Sequence, residues 1–512
     1  MTSDHQPMMD GAEAGGEGLD PADWEAFRAT CYRAVDRLID WWSEVRERPV
    51  WRPVPDEVKA TLRAMPPPTG PMDPAAVVDM FERLVLPYPA GNTHPRFMGW
   101  VNGSGTPVGA LAELLSGALN ANVGGRDHAP VYVERQVVDW ARQLFGFPEG
   151  ASGLLTSGTS IATLIGLTAA RQAHGPGDVR RDGLQASPVR LVGYASAGAH
   201  ASVAKAFELL GLGHESLRSI PGGDAGGMDI GVLERTIAAD QAAGLRPFCV
   251  VATAGAVNTG AIDDLEAVAR TCRERGLWMH VDGAFGALAV LSPELAPRLA
   301  GIEKADSLAF DFHKWLHVPY DAGCVLVRDE PALRDAFSLR HDYLAAAERG
   351  LAGGNPWYCE YGPEQSRGFR ALKVWFTLLT YGLDQLGAAI ARNCAQARYL
   401  GERVAAEPEL ELLTPVWLNI ACFRYRGDGL PPADLDLLNA EIVADLHEQG
   451  VAAPSSTRVG GALAIRACLC NHRTERSDLD ALVDAVLRIG RARTARVNSG
   501  TAWPEPVLLA GE

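Results

Sequence analysis

The stretch Phe312-His313-Lys314-Trp315 places one lysine between a histidine and a tryptophan. It directly follows an apolar run, Ser307-Leu308-Ala309-Phe310, that reads as a short buried strand. Earlier in the chain, Leu277-Trp278-Met279-His280-Val281 reads as another strand. It ends on Asp282, which is followed by the small residues Gly283, Ala284 and Gly286. A lysine amine attacks carbonyls, and a carboxylate can keep a heteroaromatic nitrogen protonated so that the ring accepts electrons. An acid at one strand tip and a lysine at a later one therefore suit an enzyme that uses pyridoxal phosphate. A single lysine at a strand end is most often only a solvated charge, so the reading depends on the partners that the rest of the chain supplies.

Those partners recur at strand ends. Gly153-Leu154-Leu155-Thr156-Ser157-Gly158-Thr159-Ser160 runs straight into a predicted helix over residues 161–172. Small hydroxylated residues at a helix start make an anion site, because the first amides point outward and the helix dipole favours negative charge. The same residues also suit a plain N-cap. His200 follows a predicted strand (189–194) and opens a helix (201–210). A continuous apolar strand (247–253), a helix (263–276) and further strands (305–310, 323–327) complete the series. Strands alternating with helices imply an α/β fold with a mostly parallel sheet, and such sheets bind ligands beyond the carboxyl ends of their strands.

The supporting elements come next. Asp20 with Pro21 predicts a helix start, and Phe27, Cys31, Ala34, Val35, Leu38, Ile39 and Trp42 recur at helical spacing. Residues 50–74 are proline-rich and read as an extended arm, with helical period returning over 77–86. Two helices (108–120 and 132–145) flank the polar stretch 122–128, and the glycine- and aromatic-rich run 92–107 precedes them. Residues 339–365 have little regular pattern, as in a lid or a disordered loop. Helices over 369–381 and 388–405 follow. A strand (416–425), a helix (433–449), a strand (462–469) and a closing helix (478–491) then form a small α+β domain. The expected division is a disordered leader (1–19), a helical dimerisation segment (20–90), a large cofactor domain (91–385), a small domain (386–492) and a tail (493–512).

Composition narrows the function. The 512 residues are 47% hydrophobic and 21% charged, enough for a large core. A net charge of −16 argues against nucleic acid and against an anionic membrane surface as partner. No apolar run approaches a membrane span, and the polar start lacks the features of a signal peptide. The nine cysteines are scattered without a CxxC, which points to reduced thiols in a cytoplasmic protein and no structural metal.

Taken together, the segments around Lys314 and Asp282, the turn at 156–163 and Arg367-Gly368-Phe369-Arg370-Ala371-Leu372-Lys373-Val374-Trp375 resemble the group II pyridoxal-phosphate-dependent amino acid decarboxylases. That family includes the aromatic L-amino acid, histidine and glutamate decarboxylases. The resemblance spans roughly residues 24–491 and implies the fold-type I, aspartate aminotransferase-like architecture. It implies that Lys314 carries the cofactor, that Asp282 holds the pyridine nitrogen and that His200 stacks on the ring, with Ala284 on the opposite face. Gly158, Thr159 and Ser160 would bind the phosphate, with His313 and Asp311 closing on it. Tyr343 would return a proton to the substrate carbon, with Tyr358 the weaker candidate, and Arg466 would lie near the substrate carboxylate. The resemblance also implies a homodimer with the active site at the interface.

Departures from the family pattern concern the substrate. Ala256 stands where the aromatic enzymes usually carry threonine, and Ile161 replaces a commonly acidic residue. Trp100, Val101 and Asn102 lack the usual aromatic run, and Ala129-Pro130-Val131-Tyr132 leans toward glutamate-type members. Arg126 either pairs with an acidic side chain or caps a helix. The expected reaction is decarboxylation of an L-amino acid, aromatic or otherwise hydrophobic, to the amine. The alternatives are an acidic or aliphatic substrate, decarboxylation with oxidative deamination to an aldehyde, or a catalytically silent scaffold.

Overall fold

The computed structural model describes residues 18–223, 226–339, 347–427 and 429–498. Of these, residues 18–48 and 52–89 form one unit, and residues 49–51 join the described residues from 90 onward in a second.

The first unit is helical. In α1 (Trp24–Ser43) the cap is Asp23, whose carboxylate accepts from the amides of Glu25 and Ala26 at 2.9 and 3.0 Å. The helix predicted to open at Asp20 thus starts one turn later, at the last short acid before the apolar repeat. The proline-rich arm is not wholly extended: α2 (Asp56–Ala64) forms between its prolines, with Asp56 and Glu57 in the first turn and Arg63 in the last, each complementing the helix dipole. Asp73 caps α3 (Pro74–Leu84), and Arg33 meets Asp79 at 3.0 Å.

The second unit opens with β1 (Phe97–Met98), α4 (Pro107–Leu119) and α5 (Ala129–Leu144). Then come β2 (Ser152–Thr156), α6 (Thr159–His174), α7 (Val179–Asp182), β3 (Leu191–Ser196) and α8 (Ala201–Leu209). Next in order are β4 (Leu217–Ile220), α9 (Ile230–Ala242), β5 (Arg246–Thr253), α10 (Leu265–Arg275) and β6 (Trp278–Asp282). The series closes with β7 (Ser307–Asp311), the single turn α11 (Phe312–Trp315), β8 (Gly323–Val327) and α12 (Glu330–Phe337). Seven strands form one sheet in the order β2-β8-β7-β6-β5-β3-β4. All neighbours are parallel except β8, which runs against both β2 and β7. The carboxyl ends of β2, β3, β5, β6 and β7 therefore share one edge. Phe248, Cys249, Val250, Val251 and Ala252 of β5 are all fully buried, as a parallel strand covered on both faces requires.

The remaining elements are α13 (Ala371–Ala406), β9 (Leu410–Leu412), β10 (Ile420–Tyr425), α14 (Pro432–Glu448), β11 (Ala453–Val459), β12 (Ala462–Cys468) and α15 (Arg476–Asn498). The two helices predicted over 369–405 run nearly continuously and are parted only at Gly382, whose φ of 67° breaks the helix. A second sheet, ordered β1-β11-β12-β10-β9, packs its own core around Phe423, Ile465, Leu438 and Leu482. Its strand β11 was not foreseen, because Pro454-Ser455-Ser456-Thr457 lacks an apolar run. Among the described residues no helix is long and apolar enough to cross a membrane.

Candidate active site

Lys314 sits on α11, the single turn after β7. The turn is anchored by its neighbours. Trp315 is fully buried, and its indole donates to Asn393 Oδ1 of α13 at 3.1 Å. Phe312 packs on Phe310, with ring centroids 4.9 Å apart. His313 is clamped to residue 322, its Nδ1 accepting the Ala322 amide at 3.0 Å while its own amide donates to the Ala322 carbonyl at 3.2 Å. With its flanking residues buried, Lys314 is turned toward the carboxyl edge of the sheet.

Three acids and bases meet it there. Lys314 Nζ lies 3.0 Å from Asp311 Oδ2, and Asp311 Oδ1 accepts the Thr159 amide at the head of α6 at 2.7 Å. Asp282, at the tip of β6, is 3% exposed and accepts the Ala284 amide at 3.2 Å. Desolvation raises its pKa, while Lys314, that amide and His200 draw it down. His200 caps α8: its Nδ1 accepts the Ser202 amide at 3.2 Å and lies 2.8 Å from the Ser202 hydroxyl. Although residue 200 is exposed as a whole, its imidazole loses enough water to lower its pKa, with Asp282 acting against that and Lys314 reinforcing it. His200, Asp282, Asp311 and Lys314 thus form one electrostatic cluster, as their positions at strand ends predict.

The cluster has unspent hydrogen-bonding capacity. The Thr159 hydroxyl at the head of α6 and the Thr253 hydroxyl at the end of β5 are buried without a hydrogen-bond partner. Ser160 is exposed beside Thr159, and a side chain at Gly158 would meet His313 and Asp311 at 3.5 and 3.6 Å. One buried hydroxyl left unmatched at a helix head and another at a strand end, together with a buried carboxylate that has accepted a single amide, fit a ligand carrying a phosphate at one end and an N–H at the other.

The loop bearing Trp100, Val101 and Asn102 packs against this turn. A side chain at Gly103 would collide with the carbonyls of His313 and Lys314. Trp100 adopts a left-handed φ of 47°, and both its peptide groups are held: its amide donates to Ser455 Oγ at 3.2 Å and its carbonyl accepts from Arg466 at 2.9 Å. Arg466 is 3% exposed, and it also binds the carbonyls of Val257 and Asn258 and the Ser455 hydroxyl. Its donors are thus spent largely on the protein. Arg126, exposed and left-handed (φ 82°), lies over the Trp357 ring at 5.9 Å. Ala284 is half-buried next to Asp282. Tyr343 lies outside the described residues. Tyr358 is buried, with Arg367 over its ring at 5.0 Å.

Two neighbours were not anticipated. Tyr320 places its ring 4.3 Å from that of His313 and donates from its hydroxyl to Asn102 Oδ1 at 2.8 Å. Ser202 fixes the His200 ring. The second was legible as a hydroxyl two residues into a helix. The first depends on a loop crossing that no local pattern reveals.

Comparison with known proteins agrees with this geometry. Residues 62–426 match the pyridoxal-dependent decarboxylase conserved domain. The chain is 32% identical over 463 residues to the aromatic-L-amino-acid decarboxylase of Bacillus atrophaeus, covering 89% of this chain and 93% of that protein. It is 31% identical over 389 residues to the L-2,4-diaminobutyrate decarboxylase of Acinetobacter baumannii, covering 73% and 75%. A crystal structure of Oryza sativa TDC with PLP and tryptamine matches with a TM-score of 0.84 at 27% identity, over 93% of this chain and 100% of that one. The chain belongs to the pyridoxal-dependent decarboxylases and is a pyridoxal-phosphate-dependent carboxy-lyase acting on an amino acid.

Proposed function

We propose that the substrate is an L-amino acid with an aromatic or otherwise hydrophobic side chain, released as the amine and CO2. The observation that carries the site assignment is the meeting of Lys314, Asp282, His200 and the unmatched Thr159 hydroxyl at one sheet edge. When bound, pyridoxal phosphate supplies an aldehyde for the amine and an electron sink for the bond that loses CO2.

The chain's own residues divide the remaining work. Lys314 would hold the cofactor through its side-chain amine. Asp282 keeps a proton on the ring nitrogen from a site where water cannot compete for the carboxylate. His200, its Nδ1 fixed by Ser202, offers its ring as a stacking face, and Ala284 leaves room on the other side. Thr159, Ser160 and the α6 amides hold the phosphate, with His313 beside them. Tyr343 returns the proton to the substrate carbon. The wall formed by Trp100, Val101 and Asn102 receives the side chain. Arg466 holds that wall through the Trp100 carbonyl, so its route to the substrate is indirect. Arg126 lies on the rim beside Trp357.

We also propose a homodimer. Trp24, Phe27, Tyr32, Val35 and Ile39 leave an apolar surface exposed on α1, more than an isolated helix keeps in water. The nine free thiols suit a reducing, cytoplasmic setting.

A screen of CO2 release across the common amino acids and hydroxylated aromatic derivatives tests the substrate. Amine and CO2 in equal amounts from aromatic substrates are expected. Preferential turnover of acidic or diamino substrates would overturn the side-chain assignment, and oxygen uptake with aldehyde formation would overturn the reaction.

A further inference from the structure

We propose that Asp311 occupies, with its own negative charge, the helix head that must receive the cofactor's phosphate, and so acts as a built-in brake on cofactor loading. This rests on the reading of the site as a pyridoxal phosphate site. Asp311 ends β7 and is 2% exposed. One carboxylate oxygen takes the first amide of α6, from Thr159, at 2.7 Å. The other lies 3.0 Å from Lys314 Nζ and 3.7 Å from His313 Nε2. The carboxylate lies against two bare backbones, where only glycine leaves it space. A side chain on Gly323 of the reversed strand β8 would stand 2.8 Å from the same oxygen that binds Thr159, and one on Gly158 would stand at 3.6 Å.

The consequence follows from charge. The head of α6 is where small residues and free amides favour an anion, and a carboxylate already draws on that preference. An arriving phosphate must share the helix head with a like charge. Asp311's cationic partner is the very lysine that must turn toward the cofactor's aldehyde. His313 does not substitute for it, because burial lowers the pKa of its imidazole even with Asp311 adjacent. Without cofactor the arrangement is favourable: Asp311 caps the helix and holds Lys314 in one place. Loading therefore exchanges a satisfied ion pair for a crowded anion site.

The test compares cofactor-free wild type with Asp311→Asn, which keeps an oxygen for the Thr159 amide and removes the charge. Each is titrated with pyridoxal phosphate and with pyridoxal, which lacks the phosphate, following visible absorbance. Asp311→Asn also changes how readily Lys314 captures any aldehyde, so the ratio of the two affinities isolates the phosphate. We expect that ratio to rise by about tenfold or more in favour of the phosphorylated form. Inorganic phosphate should raise the melting temperature of the variant more than that of wild type. An unchanged or smaller ratio would overturn the proposal and leave Asp311 as a cap or a phosphate ligand. Asp311→Ser, uncharged with an oxygen acceptor, repeats the comparison if the first variant folds poorly without cofactor. Failure of the wild type itself to develop the visible band would instead sink the reading of the site.

Discussion

Lys314 and Arg466 are two cations close enough for both to act on the Cys468 thiol, yet they are built in opposite ways. Arg466 gives its donors to the carbonyls of Trp100, Val257 and Asn258 and to the Ser455 hydroxyl. Lys314 has one ion pair with Asp311, in surroundings that contain unmatched hydroxyls and a buried carboxylate. A buried charge whose bonds all run to the protein, mostly to its backbone, is scaffolding. A charge beside unspent hydrogen-bonding capacity is a place for something to bind. The two cations thus differ in how much of their bonding capacity the protein itself consumes, although the family resemblance placed both at the site.

The sharpest way to break this comparison is to remove each cation. Lys314→Ala should abolish the visible cofactor band and reduce CO2 release to background, with a melting temperature below that of the cofactor-free wild type because the buried Asp311 loses its ion-pair partner. Retention of the band would end the assignment. Asp282→Asn should keep the band but lower amine formation by about 10²–10⁴-fold, because the ring nitrogen loses the group that holds its proton; single-turnover rates measure this. Arg466→Ala should do the reverse of the lysine change. It strips the Trp100 and Val257 carbonyls of their Arg466 donor, leaves the Asn258 carbonyl only the Cys422 thiol, and should lower stability by about 3–5 kcal/mol in a denaturant titration. The folded fraction should still show the cofactor band.

Two smaller effects sharpen the contrast. His280 and His472 are scaffold histidines whose pKa desolvation lowers to about 3, so both are neutral when folded. Once unfolded they regain a pKa near 6.5, so below that pH the unfolded chain binds more protons. Their neutral packing is fully compatible with folding above about pH 6.5, and stability falls as pH drops toward 3, by about 1.4 kcal/mol per unit for each histidine. Melting temperatures measured from about pH 7 to about pH 5 should decline, and His280→Gln should flatten the decline. Thr159→Val removes the unmatched hydroxyl and should weaken cofactor binding about 5–10-fold while leaving cofactor-free stability unchanged. A loss of stability there would mean that the hydroxyl is part of the scaffold after all.

The residues that meet at the sheet edge were more legible in the sequence than the frame around them. Lys314, Asp282, His200 and Thr159 were legible because each follows an apolar run, and a parallel sheet collects such ends along one edge. The frame was harder. The helix Asp56–Ala64 hid among prolines whose positions allow it to form between them. The reversal of β8 leaves no mark on its composition, because Gly323–Val327 is as apolar as a parallel strand. Arg466 read as a substrate ligand because backbone carbonyls, its actual partners, have no letter in a sequence. The contact between the Asp311 carboxylate and the Thr159 amide was not legible either, because 152 residues separate the two in the chain.

The reversed strand has one further consequence. It delivers Gly323 so close to the phosphate turn that any β-carbon there would sit 2.5 Å from the Gly158 α-carbon. Two bare backbones thus touch beneath the helix head. An alanine at position 323 would act as a wedge, pressing at once on the Gly158 backbone and, at 2.8 Å, on the Asp311 carboxylate. It gives an engineer a mechanical adjustment of cofactor retention that adds no charge of its own.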